Sequence, residues 1–310
     1  MHAMILAAGL GTRLRPLTDQ IPKPLVPVAG IPNIIRTIKH LKRSGVDQIV
    51  INLHHKPELI RTLLFDEASL GVKINYSHEE HLLGTGGGIK KALPLLGNEP
   101  FIVINGDALF APDIKSAYKA HVRNNANATL ILRQDPDAAD FGAVGIDRKN
   151  KIVSIVNTGD PGRATKLLMF TGVHIISPSL GARLPDNGCI VRKTYMPMVA
   201  DGEPLFGVTD NAFFCDLGTP KRYISANADL VCGRKTMRGF AQIFEGEYHV
   251  GAGVIVKKNC VLKNGTVVGD GAKIESGVTL DRVVVLQGAH VTQTLKDAIV
   301  CPDGTIIKEH

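Results

Sequence analysis

A chain of 310 residues, 44% of them hydrophobic, is long enough for one large core with a smaller module beside it, or for two domains. Its 36 Lys and Arg against 29 Asp and Glu leave a net charge of +7, but the basic residues are scattered singly; without a tail or block of like charge, nucleic-acid and membrane partners are excluded in favour of a small anionic substrate. The five cysteines (Cys189, Cys215, Cys232, Cys260, Cys301) are odd in number and free of metal-ligand spacing, which excludes a disulfide framework and a zinc site.

In chain order, residues 3–9, "AMILAAG", form a short apolar run followed by a glycine loop. The run is too short for a signal-peptide core, and no later one approaches a membrane span, so a cytoplasmic protein is expected. "NIIRTIKHLKRSG" has helical spacing with Gly45 as its C-cap, "QIVINLHH" is the next strand, "HKPELIRTLLFDEA" a helix and "VKINYSHE" a strand. "GGGIKKALPLL" is a helix opened by glycines, and "FIVINGD" a third continuous apolar strand. Strands apolar on both faces and separated by helices predict an α/β fold, a Rossmann-like, mostly parallel sheet with helices on both faces. Function then belongs at the carboxyl ends of the strands.

The last seventy or so residues follow a different period. Val250, Val256, Leu262, Val268, Ile274, Leu280 and Leu286 are spaced by six without a break. This is the hexapeptide repeat of a small left-handed parallel β-helix, in which each short strand turns one aliphatic residue inward. The expected division is a catalytic domain over residues 1–235 and a β-helix over 246–310 that stacks, assembles a homo-oligomer and supplies no catalytic group. Deleting the tail is expected to leave measurable activity.

The loop behind the first strand, "MILAAGLGTRLRPLTDQIPKPLVPVAG" at residues 4–30, carries the chemistry. Gly9 and Gly11 give G-x-G, but the third glycine of a dinucleotide fingerprint falls at Leu14, and Pro16 stands where the helix should run. No G-x-x-x-x-G-K-[ST] is present either. What remains is a long glycine-bearing loop whose N–H groups close on oxyanions, with Arg13, Arg15 and Lys23 supplying charge and Pro22, Pro24 and Pro27 stiffening the return. Such a loop suits a polyphosphate.

"LAAGLGTRLRPLT…PKPLVPVAG", "LGTGGGIKKAL", the "NGD" that ends an apolar strand, "FTGVHIISP" and "FFCDLGTPKRY" together resemble, in order and approximate spacing, the sugar-1-phosphate nucleotidylyltransferases. With the β-helix tail, which many members carry, the resemblance covers nearly the whole chain. It implies that a nucleoside triphosphate and a sugar 1-phosphate give a nucleotide sugar and pyrophosphate, by positioning and charge neutralisation without a protein nucleophile. By the same resemblance Leu6, Ala7, Ala8, Gly9, Gly11 and Thr12 wrap the nucleotide, Arg13 holds the β and γ phosphates, and Lys23 neutralises charge at the reacting phosphates. Asp107 and Asp216 are the acids for a metal, with Mg²⁺ expected as cofactor.

Base recognition is assigned by family spacing to Glu79, five residues before Gly84. A carboxylate there accepts guanine N1–H and N2–H together, whereas uracil or thymine offers one N3–H between two carbonyls. This favours GTP with mannose 1-phosphate or a related sugar phosphate. The alternative is uridylyl transfer to an amino-sugar 1-phosphate, because "TGGGIKKALPLLG" also resembles the muramate-type uridylyltransferases. On the sugar side Gly142 matches the family glycine, with Asn157, Lys166 and Thr171 as further candidates. The Glu-Lys-Pro expected some fifteen residues after Gly142 is replaced by Asn157, Thr158 and Gly159, so the usual sugar-phosphate lysine is absent, and Lys166 or Arg192 is the substitute considered. His54 and His55 lack metal-ligand spacing and are read as structural or exposed. A catalytically dead relative is disfavoured by the presence of Arg13, Lys23, Asp107 and Asp216, and an acyltransferase by the shortness of the helix beside His249 and His290.

Overall fold

The computed structural model describes residues 1–136, 138, 142–239 and 246–309. The chain forms two compact units, Met1–Gly9 with Ile38–Gly106 and Pro112–Ala212, and Leu10–Thr37 with Asp107–Ala111 and Phe213–His310. The break expected at residues 235–246 is not where the contacts divide, because the opening loop and a late helix bury their apolar side chains with those of the tail.

The first unit is built on a ten-stranded sheet. Lys73–His78, Gln48–Leu53, His2–Leu6 and Phe101–Asn105 run parallel in that order. Their apolar runs are continuous because both faces are covered: Ala3, Met4, Ile5, Ile49, Val50, Ile51 and Val103 are fully buried. The expected α/β architecture is present, and an antiparallel extension adds to it. The strand Lys166–Ile176 pairs antiparallel with Val144–Ile146 through residues 166–168, with Ala128–Arg133 on either side of a register shift between Phe170 and His174, and with Phe101–Asn105 through residues 173–176, and so serves three ladders. Gly172 lies in that register shift, with φ +77° and a Cβ position 2.3 Å from Asn105 Nδ2. The glycine of "FTG" is thus a bend that no side chain fits. Met4, Val50, Ile89, Phe101, Leu130, Tyr195 and Met198 belong to one core.

The second unit contains a two-stranded ribbon, Ala108–Phe110 antiparallel to Phe214–Asp216, the helix Pro220–Val231 and the C-terminal coils. Tyr248 faces Thr266, Ile255 faces Lys273 and Val261 faces Thr279, all in parallel and at an offset of eighteen residues, which shortens to seventeen at Val267 facing Val284 and to fifteen at Leu280 facing Leu295. Eighteen is three hexads, one coil of three short strands, as a β-helix requires. Val268, Ile274, Leu280 and Leu286 are buried as the repeat predicts. Val250 and Val256 are not: they are 37% and 42% exposed, because their strands lie in the first coil and each pairs on one side only. The coils pack on the helix Pro220–Val231 so closely that a Cβ on Gly265, at φ +83°, would lie 2.3 Å from Ala228 Cα. The same helix braces the opening loop, Asn227 Oδ1 accepting from Ala29 N–H at 2.7 Å and the Tyr223 hydroxyl donating to Pro27 O at 2.5 Å. Among the described residues no helix is long and apolar enough to cross a membrane.

Candidate active site

Within the second unit the residues expected to handle phosphate and metal are in one place. The ribbon is the reason: Ala108 faces Asp216 in register and Leu217 N–H reaches Asp107 O, so the "NGD" and "CDLGT" acids lie side by side although they are more than a hundred residues apart in sequence. Lys23 opens a short 3₁₀ turn, Lys23–Leu25, entered through Pro22. Its side chain is 6% exposed, and its Nζ donates to Asp107 Oδ2 at 2.7 Å and to Asp216 Oδ1 at 3.2 Å. Asp216 Oδ2 accepts from Arg13 Nη2 and from Arg222 Nη1, each at 3.3 Å. Burial opposes the charge of Asp216, but Lys23, Arg13 and Arg222 outweigh it, and the carboxyl is held below its ordinary range and stays ionised at neutral pH. The neighbouring Cys215 thiol is pushed up to about 12, by burial first and by Asp216 second, so it is no nucleophile.

The glycines of the opening loop divide by role. Gly11 is at φ +66° with a Cβ position 2.8 Å from Thr18 Cγ2, and its carbonyl accepts from the Thr18 hydroxyl at 2.9 Å, so the turn itself demands glycine. Gly9 is exposed, and a Cβ there would meet nothing. Thr12 and Arg13 follow, both exposed, in the 3₁₀ turn Thr12–Leu14, whose Leu14 is buried.

Within the first unit a second polar cluster gathers Ala7, Asn52, Glu79 and the head of the helix Gly84–Leu96. Asn52 Oδ1 accepts from Ala7 N–H at 2.7 Å, and Asn52 Nδ2 donates to Glu79 Oε1 at 2.7 Å. Glu79 Oε2 accepts from Leu83 N–H at 3.0 Å. Glu79 is 1% exposed. The expected base reader therefore has each carboxylate oxygen engaged within the chain, where it holds the strand end to the helix start. The glycine run has a matching cause. A Cβ on Gly88 would lie 2.7 Å from Glu79 Oε1, and Cβ atoms on Gly84, Gly86 and Gly87 would press into residues 185–188. His54 Nδ1 lies 2.9 Å from Glu79 O, the structural role expected of it.

The sugar-side candidates separate. Gly142, at φ +84°, lies against Val156, next to Asn157. Lys166 stands at the far end of the same ladder, facing Ile146, where Leu168 faces Val144 at the near end. Thr171 is 3% exposed and its hydroxyl donates to Ile131 O at 2.7 Å, a contact that fixes its strand. Two residues escaped the sequence reading. Asn52 had one signal, a lone amide in the apolar run "QIVINL", and Arg222 had another, a base in the first turn of the helix that follows "CDLGT".

Residues 2–232 match the family model described as nucleotidyl transferase. The mannose-1-phosphate guanylyltransferase of Mycobacterium tuberculosis is 33% identical, over 94% of this chain and 81% of its own length. The D-glycero-alpha-D-manno-heptose 1-phosphate guanylyltransferase of Aneurinibacillus thermoaerophilus is 30% identical, over 74% of this chain and 98% of its own. Among solved structures, HddC from Yersinia pseudotuberculosis complexed with GMP-PN is similar with a TM-score of 0.61 and 29% identity, over 73% of this chain and 97% of that one. The match across the glycine loop, both acids and the whole sheet shows the family: the chain belongs to the nucleotidyl transferases, as a sugar-1-phosphate nucleotidylyltransferase.

Proposed function

We propose that the protein transfers the guanylyl group of GTP to mannose 1-phosphate or a closely related sugar 1-phosphate, with Mg²⁺ at Asp107 and Asp216. The observation that carries the reading is the convergence of Lys23 on both acids, with Arg13 on one of them. The names of the relatives favour guanylyl over uridylyl transfer. Two carboxylates that already converge on one ammonium are hard oxygen donors in the number Mg²⁺ commonly takes from protein, its other positions being left to water and phosphate, so the residues fit the ion. When bound it supplies charge neutralisation at the triphosphate.

The chain's own groups supply the rest. A phosphate oxygen of the sugar 1-phosphate attacks the α-phosphorus of GTP, the bond from that phosphorus to the β-bridging oxygen breaks, and pyrophosphate leaves with the electron pair. Lys23, nearly buried, is a fixed charge for the reacting phosphates, and Arg13, 62% exposed at its side chain, is placed to receive the departing pyrophosphate. Leu6, Ala7 and Ala8 present backbone to the nucleotide, and the open space at Gly9 supports close approach of an oxyanion there, since the fold makes no demand for glycine. Gly142 and Asn157 are the groups retained for the sugar. The test is pyrophosphate release from purified protein with Mg²⁺, each nucleoside triphosphate and several sugar 1-phosphates. GTP with mannose 1-phosphate is expected to lead. Preference for UTP or dTTP overturns the guanylyl reading, and silence with every pair overturns nucleotidyl transfer.

Glu79→Gln separates holding from base reading. An amide keeps one acceptor and turns a donor toward either Asn52 Nδ2 or Leu83 N–H, a buried mispairing that costs about 1–3 kcal/mol. The expected result is a lower thermal midpoint with kcat/KM reduced by one common factor for GTP, UTP and dTTP. A changed ratio among the three returns Glu79 to the base.

A further inference from the structure

We propose that Arg222 is a third phosphate-binding cation of this site, held on Asp216 until the metal takes that carboxylate and then transferred to the pyrophosphate moiety; the inference rests on the nucleotidyl-transfer reading above. Asp216 is an acceptor shared by three cations, Lys23 on Oδ1 and Arg13 and Arg222 on Oδ2. Counting Asp107, three positive side chains stand against two negative ones, an arrangement with a net positive charge before any ligand is considered. A divalent cation on Asp216 draws off the negative charge that holds the guanidinium groups. A polyphosphate bound to the same ion offers them a denser one, and guanidinium forks pair with phosphate oxygens in the geometry they use for carboxylates.

Arg222 is built for that exchange where Lys23 is not. Its side chain is 40% exposed against 6% for Lys23, while its backbone is fixed, the Arg222 N–H donating to Thr219 Oγ1 at 3.3 Å in the cap of the helix Pro220–Val231. The first turn of that twelve-residue helix carries Lys221 and Arg222 and no acid, against the preference of a helix N-terminus for negative charge. Lys221 is offset there by Glu309 at 3.4 Å, and Arg222 by Asp216 at 3.3 Å. Anionic ligand at this end reverses the penalty, because the same N-terminus then faces phosphate.

The probe is inorganic pyrophosphate, titrated calorimetrically into the full-length protein with and without Mg²⁺. In Mg²⁺, Arg222→Gln is expected to bind pyrophosphate about tenfold or more weakly, the worth of one charge-assisted contact, and Arg222→Lys to recover part of the loss. Without Mg²⁺ the wild type and Arg222→Gln are expected to bind alike, the guanidinium then being held by Asp216. In the reverse reaction KM for pyrophosphate rises and KM for the nucleotide sugar stays. Equal affinities of wild type and Arg222→Gln in Mg²⁺ overturn the inference, as does the same loss with and without the metal, which would make Arg222 a brace for Asp216. Should Arg222→Gln fail to fold, Arg222→Lys carries the test alone, with a pyrophosphate affinity between wild type and a tenfold loss expected and an unchanged one overturning the inference. A wild type that binds no pyrophosphate in Mg²⁺ sinks the nucleotidyl-transfer reading itself, an outcome distinct from variants that match a binding wild type.

Discussion

Asp216→Asn is expected to lower the rate of pyrophosphate release by about a hundredfold or more, on the order of 3 kcal/mol of transition-state stabilisation, with the fold intact. The carboxylate is the shared acceptor of three cations, so its charge sets the positions of Arg13 and Lys23, and on the proposed reading it also places the ion. An amide of the same shape keeps the packing and removes the charge. Lys23 is not orphaned by the change, because Asp107 Oδ2 remains 2.7 Å from its ammonium, and the thermal midpoint is therefore expected to stay within a few degrees of wild type. Steady-state turnover across a Mg²⁺ titration is the measurement. Near-normal turnover at saturating Mg²⁺ would remove Asp216 from the mechanism.

That carboxylate was assigned through the resemblance that "NGD" and "CDLGT" carry, and the ribbon sets the two segments side by side. The parallel strands were legible as unbroken apolar runs between helical spacings, and so was the coil with its period of six. Glu79 was not. Beside the exposed Glu80 and His81 it looks like a loop charge, and its partner Asn52 lies 27 residues earlier, so nothing nearby in sequence announces that it is buried. The glycines of "GTGGG" were seen as a helix opening, but their cause is the distant segment 185–188, whose backbone approaches too closely for a Cβ. Thr171 was placed at the sugar by its motif, while its hydroxyl was already committed across the strand to Ile131. In each case the missing information is a contact across the fold, which residue type and spacing do not carry.

The domain division is the largest of these differences, and it reverses an expectation about the tail. A chain ending at residue 245 is expected to lose nucleotidyl transfer and to lack a cooperative thermal transition for its second unit, although no group placed at the phosphates lies beyond Arg222. Leu14, Leu17, Val26 and Val28 of the opening loop share one core with Tyr223, Ile224 and Val231, and that core is completed by Val267, Val284, Leu286, Ile299 and Cys301 of the coils. Each fully buried aliphatic side chain is worth about 1.5–3 kcal/mol, so the four aliphatic ones among these are comparable to the about 5–15 kcal/mol by which a whole domain is stable. Here the faces of the loop and helix are apolar and need the coil. A graded version is Ile299→Ala, far from Lys23 in sequence and fully buried, which is expected to cost about 2–5 kcal/mol of stability and to lower the midpoint of the second unit. A soluble 1–245 chain with wild-type turnover and an unchanged midpoint would show that Arg13 and Lys23 keep their positions without the coil, and that the shared core is incidental to the site.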